Sequence, residues 1–125
     1  MRADLLKPAV NIRIAADLLR RIADSYERNH PEVENMLEDW NNPRFVELLT
    51  FGWNAGYSER GGVGRVVSYL EDRGLAHAVT IDSVHRYAKA AGASRHLSNA
   101  KKVAWCKGVA LLYTREKAHD RRLVG

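Results

Sequence analysis

Apolar residues recur at three- and four-residue steps along most of this chain, the spacing that gathers them on one face of an α-helix. From Pro8 to Asn29, the positions Ile12, Ala15, Ala16, Leu19, Ile22, Ala23 and Tyr26 predict a long amphipathic helix, and Pro8 suits its first turn. Asn29-His30-Pro31 interrupts the pattern, after which Pro31, Glu32 and Glu34 predict a short helix reaching about Trp40. Asn41-Asn42-Pro43 marks the next break, with Asn42 as N-cap and Pro43 at the first helical position. Val46, Leu49, Phe51 and Trp53 carry that helix toward Gly56, a residue suited to a helix stop. Ser58-Glu59-Arg60-Gly61-Gly62 reads as a flexible loop, followed by a helix from about Val63 to Arg73 with Gly74 beyond its end. Thr80 or Asp82 is placed to cap another helix ending at Gly92. Ser98 or Asn99 opens the last, which carries Val103, Cys106, Val109, Ala110 and Tyr113. Strand pairs, repeat periods and low-complexity segments do not emerge, so the expected fold is all-α with about five to six helices.

Size and composition narrow the picture. A chain of 125 residues, 46% hydrophobic, is long enough for one domain with a real core, and residues 1–125 are read as a single domain. Apolar runs such as Val109 to Tyr113 are far shorter than the roughly 20 residues of a membrane span, so none is expected. Met1-Arg2-Ala3-Asp4 leads directly into the amphipathic pattern, and no secretion signal is expected in this chain. Cys106 is the single cysteine, which excludes an internal disulfide, and its place on an apolar helix face predicts a buried thiol rather than a nucleophile. His30, His77, His85, His96 and His119 show no i, i+4 pair and have no cysteine partner at ligand spacing, so neither a zinc site nor another cofactor is implied.

Charge divides the chain in two. Residues 1–59 hold seven Lys/Arg and ten Asp/Glu, a balance of −3, whereas residues 60–125 hold thirteen and five, a balance of +8. A basic half of this size attracts nucleic acid, anionic lipid or an anionic cell-wall polymer, and it equally describes a solvated helical surface.

The densest candidate chemistry lies in Phe51-Gly52-Trp53-Asn54-Ala55-Gly56-Tyr57. Trp53 and Tyr57 offer rings that stack on a flat ligand, and Asn54 offers a carboxamide that hydrogen-bonds it. Trp40, Phe45, Phe51, Trp105 and Tyr113 fall at helix-compatible positions and are assigned to the core. For Trp53 and Tyr57, which flank a helix stop, core and cleft both stay open. Two acids lie near the segment: Glu47, read as a solvated partner of Arg44, and Glu59, read as an exposed loop charge.

Pro8-Ala9-Val10-Asn11-Ile12-Arg13, the long helix after it, and then Trp53-Asn54-Ala55-Gly56 together resemble the latter half of the lytic transglycosylase and goose-type lysozyme superfamily. Asn11 and Ile12 match the family element that opens a helix. Asn54, Ala55 and Gly56 match its Ala-Tyr-Asn-Ala-Gly element, with Trp53 in place of the tyrosine. Val63-Gly64-Arg65-Val66 resembles the small and basic residues that follow, and Tyr87 stands near a late cleft tyrosine. The resemblance implies a lysozyme-like helical domain, or its C-terminal lobe, that contacts peptidoglycan or a related N-acetylated glycan through Trp53, Asn54, Tyr57 and Tyr87. It also implies a bacterial or phage cell-envelope setting. The family cleaves between N-acetylmuramic acid and N-acetylglucosamine with a glutamic acid in a Glu-Ser pair, followed by a Gly-Leu-Met-Gln segment, both upstream of the Asn-Ile helix. Neither motif occurs here, and only ten residues precede Asn11. No catalytic residue is therefore assigned, and the expectation is a lysozyme-like domain without its catalytic front half, inactive as an isolated chain. A lobe lacking its usual packing partner also exposes apolar surface, so a homodimer is a secondary expectation.

Two other classes of function stay open. Thr80-Ile81-Asp82-Ser83-Val84 with Ala88 to Arg95 resembles the helix-turn-helix of transcription repressors, but His85-Arg86-Tyr87 adds length between its halves and nucleic acid is the weaker expectation. A noncatalytic module that binds glycan or protein through the same cleft needs Asn54 and the rings but no acid.

Overall fold

A computed structural model describes the backbone of residues 8–124 and the side chains of residues 15–116. The described residues are all-α: helices α1 (Pro8–Asn29), α2 (Pro43–Ala55), α3 (Val63–Asp72), α4 (Ile81–Tyr87) and α5 (Ala100–Val124) are joined by segments that carry short 3-10 turns, except for the glycine-rich loop between α2 and α3, and no strand occurs among them.

α1 matches the predicted helix, and it buries Ile22, Ala23 and Tyr26 on one face. The predicted helix from Pro31 to Trp40 contracts to a 3-10 turn, Glu34–Met36. A segment this short gains little from helix propagation, and its side chains form other bonds: Asn35 donates to the Val79 carbonyl at 2.8 Å, and Asn42 donates to the Asn35 side-chain oxygen at 2.8 Å. Val33 and Met36 are nonetheless buried, so the segment packs without becoming a helix.

α2 is the centre of the molecule. Asn42 caps it by accepting from the Arg44 N–H at 3.1 Å, Pro43 opens it, and Gly56 ends it at φ +110°, a conformation that L side chains rarely adopt. Phe45, Leu48, Leu49 and Phe51 are buried along its length, and it packs against α1 and, most extensively, α5. From α5, Val103, Cys106 and Ala110 complete that interface at three- and four-residue steps. Val63, Val66, Val67 and Leu70 of α3 join the same core, as do Ile81 and Val84 of α4.

α4 is shorter than predicted. Thr80 accepts from the Ser83 N–H at 3.2 Å while the Ser83 hydroxyl accepts from the Thr80 N–H at 2.9 Å, a reciprocal cap. The helix closes at Tyr87, and turns lead through Gly92 to a 3-10 segment, Arg95–Ser98. Asn99 accepts from the Lys101 N–H at 2.9 Å at the start of α5. No helix among the described residues is long and apolar enough to cross a membrane.

Candidate functional site

The Trp53-Asn54-Ala55-Gly56-Tyr57 segment occupies the end of α2 and the turn beyond it, and its side chains diverge. Trp53 stacks on Trp105 of α5, with ring centroids 6.1 Å apart and planes inclined by 23°. Both rings remain largely in water, at 44% and 48% exposure. Trp105 therefore does not belong to the core as its helical position suggested; it lies off the stripe of Val103, Cys106 and Ala110 that faces α2. Leu111 and Leu112 add exposed apolar surface further along α5.

Asn54 is turned toward α5. Its side-chain oxygen accepts from Lys102 Nζ at 3.1 Å, and the carboxamide acts to lower the Cys106 pKa against the larger effect of burial. It thus ties the C-terminal turn of α2 to α5 beside the Trp pair. Cys106 is fully buried, and burial pushes its thiol up to about 11, a protonated and unreactive state at neutral pH.

Tyr57 is partly buried against the core, and its carbonyl accepts from the Gly64 N–H at 3.2 Å. Tyr87 lies elsewhere, with its ring 6.2 Å from that of Tyr69 on α3. It borders a separate recess of about 330 Å³ shared with Leu70, Leu75 and Arg86. Trp53 and Asn54 are thus brought together against α5, whereas Tyr57 and Tyr87 face other elements. Asn11 and Ile12 lie in the first turns of α1, outside the residues whose side chains are described.

Glu59 is the exposed loop charge expected, and it is also held by partners that the sequence did not indicate. Its Oε2 lies 2.7 Å from His30 Nε2, and its Oε1 accepts from the Ser68 hydroxyl at 3.2 Å. The other ring nitrogen of His30, Nδ1, lies 2.5 Å from Glu71 Oε1. His30 is 2% exposed, so the imidazole is a buried bridge between two carboxylates of the loop and α3. While both carboxylates are ionised they only accept, and the ring then donates from both nitrogens. Gly64 makes the approach possible: a β-carbon there would overlap the Glu59 carboxylate. Nearby, the buried Tyr26 hydroxyl donates to the Leu48 carbonyl at 2.7 Å. Burial, with Cys106 and Glu59 as lesser causes, raises this phenol well above its ordinary value and keeps it a neutral donor.

The loop that carries Glu59 is tied down despite its glycines. The Gly62 N–H donates to the Ser58 carbonyl at 3.0 Å, Val63 N–H to the Gly56 carbonyl at 3.0 Å, and Ser94 N–H to the Gly61 carbonyl at 2.7 Å. Glu47 likewise differs from the expected Arg44 partner alone. Burial raises its carboxyl, Lys107 and Arg44 oppose that rise, and Asp82 adds to it. Its charged neighbours thus come from α4 and α5 as well as from its own helix.

Sequence reasoning missed His30 and Trp105. The partners of His30 lie 29 and 41 positions away, so no local spacing marks it. For Trp105 a signal existed in its helical phase, one step away from the α5 core stripe. No protein-family model matches the chain, and searches of curated proteins and of solved structures return no match.

Proposed function

We propose that this chain is a helical, lysozyme-like lobe that binds peptidoglycan or a related N-acetylated glycan without a catalytic acid of its own. The observation that carries this reading is the exposed Trp53–Trp105 pair at the end of the Trp-Asn-Ala-Gly helix. Large rings in water are costly unless they cover something, and an aromatic face matches the apolar C–H face of a pyranose. Lys102, beside the pair through Asn54, adds a cation suited to an anionic saccharide. Asn54 supports the platform by joining α2 to α5, and it reaches a sugar only if the Lys102 contact is exchanged.

Cleavage needs a protonated carboxyl beside the leaving oxygen. Glu59 is engaged by His30 and Ser68, and Glu47 lies among Arg44, Asp82 and Lys107, so neither is assigned that role. Co-sedimentation with insoluble peptidoglycan tests the binding: the chain is expected in the pellet, and the Trp53→Ala/Trp105→Ala double variant in the supernatant. Equal pelleting of both would contradict the reading. A turbidity assay with the isolated chain is expected to show no clearing.

A second reading, contact with another protein or a second copy, is favoured by the exposed Leu111 and Leu112 on the helix that carries Trp105. Sedimentation velocity separates the two, because self-association depends on chain concentration and not on added glycan. The repressor-like reading gains no such support. The segment that follows the α4 turn, where a recognition helix belongs, is a four-residue 3-10 turn, Arg95–Ser98.

A further inference from the structure

A cleft of about 210 Å³ opens beside the His30 bridge, lined by Glu59, Arg65, Ser68, Tyr69, Asp72 and Ala91. It is smaller than the roughly 300–1,000 Å³ of sites for drug-sized ligands, so its occupant is a small molecule or a single terminal group.

Glu59 and Arg65 are held in place in this cleft, and neither is paired with the other. His30 fixes one oxygen of Glu59 and Ser68 the other, at 2.7 and 3.2 Å, and Gly64 leaves room for the carboxylate to seat. A carboxylate offers about four lone-pair sites, so these two bonds leave acceptor capacity free. Arg65 is fixed by its Nε, which donates to the Ala91 carbonyl at 2.8 Å, and this leaves the two terminal amino groups of its guanidinium fork. Asp72 has no hydrogen-bonding or ionic partner among the described residues, and Arg65 forms no ion pair with either acid there. A surface carboxylate needs no buried histidine to remain soluble. Its positioning by two hydrogen bonds is what preorganised recognition requires.

We infer that this cleft binds a small zwitterion, a primary ammonium and a carboxylate on the same carbon, as in a free α-amino acid. The ammonium lies against Glu59 and Asp72, and the carboxylate takes the fork of Arg65 in charge-assisted hydrogen bonds. Two acids against one guanidinium give the lining a net charge of −1, so the ammonium end contributes most. The site uses none of the residues of the Trp53–Trp105 platform, and its failure leaves the glycan reading untouched.

The test is ¹⁵N NMR titration of the full chain with L-alanine, ethylamine hydrochloride and sodium acetate at matched ionic strength. Alanine is expected to shift the amides of Ser68, Asp72, Ala91 and Gly92 saturably. Ethylamine and acetate, each lacking one charge, are expected to bind about tenfold or more weakly. Asp72→Asn, an exposed substitution away from the core, is expected to weaken alanine binding about tenfold while leaving the urea midpoint unchanged. The proposal is overturned by the absence of a saturable alanine shift, by ethylamine binding as well as alanine, or by Asp72→Asn binding alanine like the parent. Glycylalanine, whose ammonium and carboxylate sit on different residues, is expected to bind about tenfold or more weakly than alanine, and binding as tight as alanine's would also overturn the proposal.

Discussion

Around His30 the polar groups answer one another: two carboxylates meet one imidazole, Ser68 meets Glu59, and the Tyr26 hydroxyl meets the Leu48 carbonyl. Around Trp53 two indoles meet each other and leave nearly half of their surface in water. Both regions flank α2, and both join elements distant in sequence. The difference lies in what remains available. At His30, hydrogen bonding is completed inside the protein, and the capacity left over belongs to Glu59 at the cleft. At Trp53 the unused surface is apolar and flat. The first arrangement holds α1, the loop and α3 in register, and the second joins α2 to α5 while leaving both rings about half exposed. Asn54, the residue that most suggests a sugar contact in the sequence, sits between these cases because it is engaged by Lys102.

Removing the imidazole is expected to have the largest effect. His30→Ala leaves Glu59 and Glu71 facing each other across a vacated site, and a loss of about 2–3 kcal/mol is expected in urea unfolding. That estimate lies below the range for fully buried pairs because the two carboxylates are 38% and 28% exposed. A loss under about 0.5 kcal/mol, the size of an ordinary surface change, would remove the structural role assigned to this corner.

The Trp pair is expected to behave oppositely. Trp53→Ala or Trp105→Ala costs stability of only about 1 kcal/mol, since each ring is half solvated and the stack itself contributes modestly. Glycan binding is nonetheless lost. A large unfolding shift without a binding change would make the pair a structural element and dissolve the contrast with His30.

A finer test uses Glu47, whose carboxyl is raised above its ordinary value of 4.5 chiefly by burial. A raised folded value means that ionisation is disfavoured in the fold. The stability linked to protonated Glu47 is complete below 4.5 and is lost as pH rises through the folded value. Glu47→Gln is therefore expected to gain on the parent as pH rises above that point, by no more than about 0.5 kcal/mol because the group is partly solvated. Unfolding midpoints at pH 4 and pH 7 check the sign, and a gain confined to the lower pH would reverse it.

The elements with local chemistry were legible in the sequence. α1 is marked by its apolar repeats, with Pro8 at its first turn and the break after Asn29. Asn42-Pro43 and Gly56 bracket α2, and Thr80, one of the two caps offered by the sequence, opens α4, where the fold adds Ser83 as its reciprocal partner. The stretch after Pro31 was not, because Asn35 bonds to Val79, 44 positions away, and such a partner leaves no local trace. The same holds for the site. The ring-bearing segment at Trp53 stands out by composition, but its partner Trp105 depends on how α5 packs on α2. Glu59 looks like a loop charge until the fold brings His30 beneath it.

Whether the proposed glycan surface is the Trp53–Trp105 face can be read from the indole N–H signals. The chain has three tryptophans, and Trp40 is separate from the pair: it packs on Phe45, and its Nε1–H donates to Glu38 at 2.8 Å. In a ¹⁵N titration with soluble N-acetylglucosamine oligomers or muramyl-containing fragments, saturable shifts of the Trp53 and Trp105 indole signals are expected while that of Trp40 stays fixed. Unmoved Trp53 and Trp105 signals, with shifts on another surface, would contradict the proposal.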